Sequence, residues 1–343
     1  MANLTATAQS IKKIAPVLIF GLIILILVGA IIYRLTNKPK APLPAPINPP
    51  EITQNPSQQQ PNSYDFSQLK TAEIPKELPI YMTRLYNVTD AVAKSLAEGF
   101  GLGGEPRIQE NTLDGRQYSW SFQDHQLTIN QKSLIFSAKA PPKPDNLALE
   151  QIQDAASFFI QKIPLFDTDL ELKQDKIKYL VDRQYWLVNA GTFEAAEKIE
   201  FSFDKKLSGL SLLDAVPEST YATVRVRKDG EVVYLSTRLS GGFTQDKIYP
   251  IKSAQEAIEE IKNGKGKVVQ TQLLDEYGQA VEPFRSQPQT IQLAEINKLE
   301  LAYFLPDDLT EPVQPIFVAE GTFKIGSENG RVVIYLPAIK QAK

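Results

Sequence analysis

Ile14 to Tyr33 is an unbroken run of 20 residues with no charged side chain, rich in Ile, Leu and Val. At ~1.5 Å rise per residue it spans about 30 Å as a helix, the thickness of a hydrocarbon core. A helix satisfies its own backbone polar groups there, which irregular chain cannot. A cleaved signal peptide has a shorter apolar region, about 7–15 residues, closed by a small-residue site. This run instead leaves directly into Arg34 and Leu35. The sequence therefore predicts an uncleaved signal anchor, with residues 1–13 a cytoplasmic tail and 14–33 a single-pass transmembrane helix. Lys12 and Lys13 before the run and Arg34, Lys38 and Lys40 after it leave the orientation undecided by charge count. The short tail and the segment that follows place the bulk of the chain outside the cytoplasm, on a bacterial cell membrane.

Between Pro39 and Pro61 eight of 23 residues are proline, with Gln54 and Gln58 to Gln60 among the rest. Proline fixes φ and removes the amide donor, so helix and sheet interior are both closed to this segment. Residues 34–62 are expected to form an extended, polyproline-like stalk that stands the remainder off the membrane. Charge divides at the same place. Residues 1–62 carry five Lys/Arg and one acidic residue, Glu51, while the rest carries 32 Lys/Arg against 39 Asp/Glu. An acidic body lacks the clustered cations that phosphate contacts need, so nucleic acid is excluded as a partner.

Three helices are expected beyond the stalk, each followed by strands. Thr89 is a suitable N-cap, and Val88, Val92, Leu96 and Phe100 recur every four residues. Leu149, Ile152, Ala156, Phe159 and Ile163 form a second stripe over 147–163, which Pro164 stops. Ser253-Ala254-Gln255-Glu256 opens the third as a capping box, with Ala254, Ala257, Ile258 and Ile261 as its inner face. Asn263-Gly264 closes it. Strands are expected at 117–122, 126–130 and 133–138 after the first helix. After the second they fall at 185–189, 198–203, 207–212, 221–227 and 231–239, the last two joined by an Asp229-Gly230 turn. After the third they fall at 267–273, 299–305, 315–323 and 331–336, with Asn329-Gly330 as a turn. Helix followed by antiparallel strands, about three times over, predicts an α+β fold of units at 63–145, 146–247 and 248–343.

One histidine and no cysteine exclude thiolate zinc sites, iron–sulfur clusters, cysteine nucleophiles and multi-histidine metal sites. Gly99 to Gly104 matches G-x-G-x-x-G, but a helix precedes it where a dinucleotide site needs a strand. Asn263 to Lys267 lacks the first glycine of a phosphate loop, and Val268 stands where Ser or Thr should bind magnesium. No nucleotide is expected. Asp167-Thr168-Asp169 has Leu172 where a calcium loop needs glycine. Asp307-Asp308 reads as an exposed turn with calcium binding left open. Ser67 to Lys70 and Ser202 to Lys205 both fit S-x-x-K, without the Lys-Thr-Gly triplet that goes with it. His125, between Asp124 and Gln126, sits at an expected turn, where a lone exposed histidine is a simpler reading than a triad member. Trp120, Trp186, Tyr303 and Phe304 fall on expected strands. Core is the first reading for them, and Trp186, Tyr303 and Phe304 are the candidate contact residues. No catalytic, cofactor or metal site is expected, and the chain is read as a non-enzyme.

The last 95 residues carry a pattern: Tyr249-Pro250-Ile251 before the capped helix, then Leu299 to Phe304, then Glu311 to Gly321. This resembles the YycH/YycI family of extracytoplasmic regulators of WalK-type sensor kinases and, more broadly, PepSY-like modules. The resemblance implies a non-enzymatic regulator that touches a partner membrane or envelope protein. The leading expectation is a membrane-anchored extracytoplasmic regulator or scaffold acting by protein contact. The alternative is a ligand-binding module for a peptide or cell-wall ligand, and the third is an envelope hydrolase using Asp/Glu chemistry.

Overall fold

The structure, a computed structural model, describes Val28 and residues 45–53, 59–71, 73–111, 115–139, 141, 143, 146–161, 163, 170–183, 186–274 and 290–341. Residues 46–343 form one compact unit. Among the described residues no helix is long and apolar enough to cross a membrane. The expected span, Ile14 to Tyr33, lies outside them apart from Val28, as does Asp167 to Asp169.

In chain order the strands are β1 (Ser63–Asp65), β2 (Lys70–Thr71), β3 (Glu77–Thr83), β4 (Arg107–Asn111), β5 (Gly115–Phe122), β6 (His125–Ile129) and β7 (Ser133–Ala138). They continue with β8 (Leu170–Leu172), β9 (Lys178–Arg183), β10 (Trp186–Asn189), β11 (Lys198–Leu207), β12 (Leu210–Leu213), β13 (Ala222–Arg227) and β14 (Val232–Arg238). The last are β15 (Phe243–Pro250), β16 (Lys267–Leu274), β17 (Leu293–Phe304), β18 (Gln314–Ile325) and β19 (Glu328–Pro337). The helices are α1 (Asp90–Gly99), α2 (Leu149–Gln161) and α3 (Ala254–Lys262).

The expectation of about three α+β units is overturned: the fold is mostly β, and the helices do not each own a sheet. The strands expected to belong to two units form one antiparallel larger sheet, ordered β4-β5-β6-β7-β14-β13-β11-β9-β10, with β8 beside the far end of β11. The seam that fuses them is β7 against β14, Ser133 to Ser137 opposite Arg238 to Tyr234. Both α1 and α2 pack on one face of this sheet, in a core with Leu127, Ile129, Phe201, Val224 and Leu235. The other face is left open, so these strands alternate: Tyr118 and Trp120 are buried while Ser119 and Ser121 look outward.

The smaller sheet runs β16-β19-β18-β17, with β1, β2 and β12 laid parallel along the outer edge of β17. Here Ile316 to Ala319 and Val332 to Leu336 are buried without alternation. Both faces are covered, which a continuous apolar run records. Phe317, Ala319, Val332 and Ile334 meet Ala257 and Ile261 of α3 on one side. Ile316, Val318, Val333 and Tyr335 meet Ile52 on the other. A ribbon of β3 and β15 completes the unit, bridged to the smaller sheet at Tyr81–Val313. The two sheets are joined by β11, which turns through Ser208 (φ 49°) and Gly209 (φ 79°) into β12. Positive φ at both loop positions is the geometry that a two-residue hairpin favours.

Local expectations fare better. Thr89 accepts from the Val92 N–H at 3.3 Å, and Ser253 and Glu256 complete the capping box. Gly101 (φ 72°) follows the end of α1, which is a helix stop and not a phosphate cradle. Asn329-Gly330 is not a turn. The hairpin bends at Gly326-Ser327, and Gly330 lies inside β19, where a Cβ would stand 2.2 Å from the Phe323 ring. The stand-off stalk is also corrected: residues 46–53 and 59–62 lie on the body. Ile52 is 8 % exposed, Gln314 donates to the Asn48 carbonyl at 2.8 Å, and Asn62 N–H bonds the Ile291 carbonyl at 2.9 Å.

The capping box extends to the chain's end, because the Glu256 carboxylate also takes a bond from Lys340 Nζ at 2.5 Å. That bond, with those from the Ser253 N–H and hydroxyl, pulls the Glu256 carboxyl down to about 2. A depressed carboxyl adds stability that is present above its unfolded value near ~4.3 and lost as pH falls through the folded one. Glu256→Gln is therefore expected to lower the urea midpoint at neutral pH and to match the parent near pH ~2. Equal midpoints at neutral pH would refute this account of the cap.

Candidate functional site

The open face of the larger sheet carries two rows of side chains in register. One row runs Ser119, Thr128, Ile135, Ser236, Thr223 and Ser202 across β5, β6, β7, β14, β13 and β11. Hydroxyls fill it except at Ile135, which is 41 % exposed, and the row ends at Ser202, which is buried. The neighbouring row runs Gln126, Ser137, Tyr234, Arg225, Glu200 and Lys178. Its second half is a chain of charges. Lys178 Nζ lies 3.3 Å from one Glu200 oxygen, Arg225 Nε donates to the other at 2.7 Å, and the Arg225 guanidinium sits 4.3 Å from the Tyr234 ring centre. Glu200 is buried between its two cations. Bonded on both sides and stacked on a ring, these long side chains are held in place and wall the hydroxyl row.

This face ends in a cleft of about 250 Å3 where the two sheets meet, lined by Lys132, Tyr221, Arg238, Ser240, Asp307 and the apolar Leu239, Leu305 and Leu309. Arg238, register partner of Ser133, pairs with the buried Asp214, whose other oxygen accepts from the Val216 N–H at 2.7 Å. Burial pulls the Arg238 guanidinium below its ordinary value, and the Asp307 carboxylate works against that. Tyr221 and Ser240 share a hydroxyl–hydroxyl bond of 2.9 Å. Two cations and two hydroxyls suit the oxygens of an anionic group. Ser240 is bonded to a phenol, not to a base that would make it a nucleophile.

The structure does not bring the candidate contact residues together. Trp186 opens β10 at the far edge of the larger sheet, opposite Arg183. Tyr303 and Phe304 end β17 in the smaller sheet and are 0 % and 2 % exposed, so they are core. Tyr303 donates to the Pro79 carbonyl at 2.9 Å and meets the Tyr81 ring edge-on at 5.2 Å. Burial first, and Tyr81 beside it, push its phenol well up. Ser202 lies on the open face while Lys205, three residues on, points to the other side over Tyr221 and Phe243, so this S-x-x-K pair cannot act together. Ser67 is bonded to Asp65. His125 stands 5.9 Å from the Phe136 ring, register partner of Phe122. Asp308 is tied to Thr310 of its own loop. Among the described residues no group of three or more His, Cys, Asp or Glu is placed to hold a metal ion.

The open face was legible as alternation in Gln117-Tyr118-Ser119-Trp120-Ser121, although no motif marked it. The cleft was not, because Lys132, Arg238 and Asp307 come from three distant stretches of chain.

No family model matches the chain, and no curated protein matches it. Among the solved structures that resemble the chain are two that overlap it over most of its length. One is an uncharacterized protein from Eubacterium rectale, 10% identical, with 82% of this chain and 89% of that one covered at a TM-score of 0.47. The other is the Bacillus megaterium YpeB C-terminal domain, 15% identical, with 75% and 95% covered at a TM-score of 0.33.

Proposed function

We propose that this chain is a membrane-anchored extracytoplasmic regulator or scaffold that acts by protein contact, and that the open face of the larger sheet is its contact surface. The observation that carries the reading is that face: in-register hydroxyls on five strands beside a row of paired charges, with Ile135 exposed among them. An exposed apolar residue in a polar surround fits the anatomy of a protein interface. The apolar run Ile14 to Tyr33 supports the location, and the likeness of residues 249–321 to YycH/YycI regulators and PepSY-like modules is consistent with it.

The second reading, a ligand-binding module, rests on Lys132, Tyr221 and Arg238 converging in the cleft. The cleft measures about 250 Å3, below the ~300–1,000 Å3 usual for small-ligand pockets, and a shallower depression of about 460 Å3 lies over Ser119, Gln126 and Thr128. Crosslinking the full chain in its own membranes, followed by purification, tests the choice. A discrete partner is expected, reduced about tenfold (~1.4 kcal/mol) in Ile135→Lys. Ile135 is exposed, so the variant stays folded. Equal recovery with Ile135→Lys, or no discrete partner, would sink the contact surface. Loss with Arg238→Ala alone would move the function to the cleft.

A further inference from the structure

Residues 46–53, Pro-Ile-Asn-Pro-Pro-Glu-Ile-Thr, run from Ile47, which packs against the α3-side cluster, to Ile52 on the face of the smaller sheet that α3 does not cover. They form no strand there. Three of the eight are proline and offer no N–H, so a ladder is not how they bind. They bind as a peptide binds a groove. Ile52 enters an apolar pocket made by Val269, Phe304, Ile316, Val318, Val333 and Tyr335, and Pro50 is buried beside it in sequence. Two glutamine amides hold the backbone: Gln314 Nε2 donates to the Asn48 carbonyl at 2.8 Å, and Gln341 Nε2 to the Ile47 carbonyl at 3.3 Å. Phe304 and Tyr335 meet edge-on at 6.3 Å in the pocket. Aromatic walls with amide donors are what recognise extended proline-bearing chain, whose stiffness lowers the entropy lost on binding.

The fit is incomplete. The Tyr335 hydroxyl and Gln314 Oε1 are buried without a hydrogen-bond partner, although Tyr335 is 0 % exposed and Gln314 3 %. Such groups are costly to leave unmade.

We propose that this face is a peptide groove, that residues 46–53 are its intramolecular occupant, and that the same segment of a second copy of the chain binds there in trans. The occupant whose fit is displayed is this segment itself. A second copy supplies identical contacts, so exchange between copies alters nothing inside the groove, which is why segment swapping is a low-cost route to dimers. The tethered segment competes at an effective concentration in the millimolar range, so trans binding emerges when the tethered copy is disabled or when chains are crowded. The groove lies on the other sheet from the contact face above and does not depend on it.

The test uses the full chain in detergent and a labelled peptide of residues 45–53. Ile52→Asp in the chain disables the tethered occupant and leaves the groove. That variant is expected to bind the peptide at least tenfold more tightly than the parent, and a peptide carrying the same substitution is expected not to bind. Equal binding by parent and variant, or none by the variant, would overturn the proposal. A second experiment frees the groove of one copy only, by Ile52→Asp in the copy that carries Gln341→Cys, and leaves the segment of the other copy intact. The chain has no cysteine, so one tagged copy carries Asn48→Cys and a differently tagged copy Gln341→Cys, both at exposed positions. After co-expression a short bismaleimide is expected to join the two tags, and not when Lys178→Cys replaces Gln341→Cys. No mixed-tag product, or the same yield with Lys178→Cys, would also overturn it.

Discussion

Arg227→Ala is expected to destabilise the protein by about 3–5 kcal/mol, the usual cost of removing one partner from a buried ion pair. Arg227 and Asp229 have side chains 9 % and 2 % exposed. The guanidinium donates to both Asp229 oxygens at 2.8 and 3.3 Å, to Glu231 at 2.7 Å and to the Pro141 carbonyl at 3.2 Å. Burial alone would push the Asp229 carboxyl up. The Arg227 bonds, with N–H groups of Lys143 and Glu231, more than offset it and hold the carboxyl below its ordinary value. Alanine leaves that carboxylate buried without its cation. The same turn fixes the approach to α2, through Leu147 N–H on the Lys228 carbonyl at 2.8 Å. Against a typical stability of ~5–15 kcal/mol the loss is about a fifth or more, and it lowers Tm by roughly 6–20 °C. Arg227→Lys should recover only part, since a point charge cannot reproduce the fork. Urea melts decide it: a loss under about 1 kcal/mol would show the network to be dispensable.

Removal of residues 1–36 is expected to transfer the protein from the carbonate-resistant membrane pellet to the soluble fraction. The run Ile14 to Tyr33 holds fourteen Ile, Leu, Val and Phe. At ~0.3–0.6 kcal/mol each on an insertion scale they favour the membrane by about 4–8 kcal/mol, or roughly three to six powers of ten in partition. The truncated chain keeps residues 46–53, and with them Ile52 and the Asn48 bond to Gln314, so its thermal unfolding should match that of the full chain. Extraction of the full chain by carbonate would refute the anchor. A large fall in Tm on truncation would show residues 1–36 to be part of the folded body.

Short-range features were readable directly. The Thr89 cap, the Ser253–Glu256 box, the Asp229-Gly230 turn and the end of α1 at Gly101 each depend on residues within a few positions of one another, and each is where local chemistry places it. The faces of β5 to β7 were likewise contained in their alternation. What failed was assembly. Helix stripes over 88–100 and 147–163 suggested two units, yet both helices pack against one sheet, because β7 pairs with β14 almost a hundred residues away. Asn329-Gly330 carries a turn signature and still lies in a strand, because Phe323 across the ladder needs the space that a glycine leaves.

The same division holds for function. A charge-free run, a thiol-free composition and an acidic body follow from residue identities alone, since solvation and metal affinity are properties of side chains. The open hydroxyl face, the junction cleft and the groove beneath residues 46–53 belong to the tertiary structure. A proline-rich segment reads as a spacer by composition, because proline removes local hydrogen bonds and says nothing of distant partners. Only the pocket formed by Phe304, Ile316, Val333 and Tyr335 turns Ile52 from a stalk residue into an anchor, since burial is a relation between chain segments that no single segment encodes.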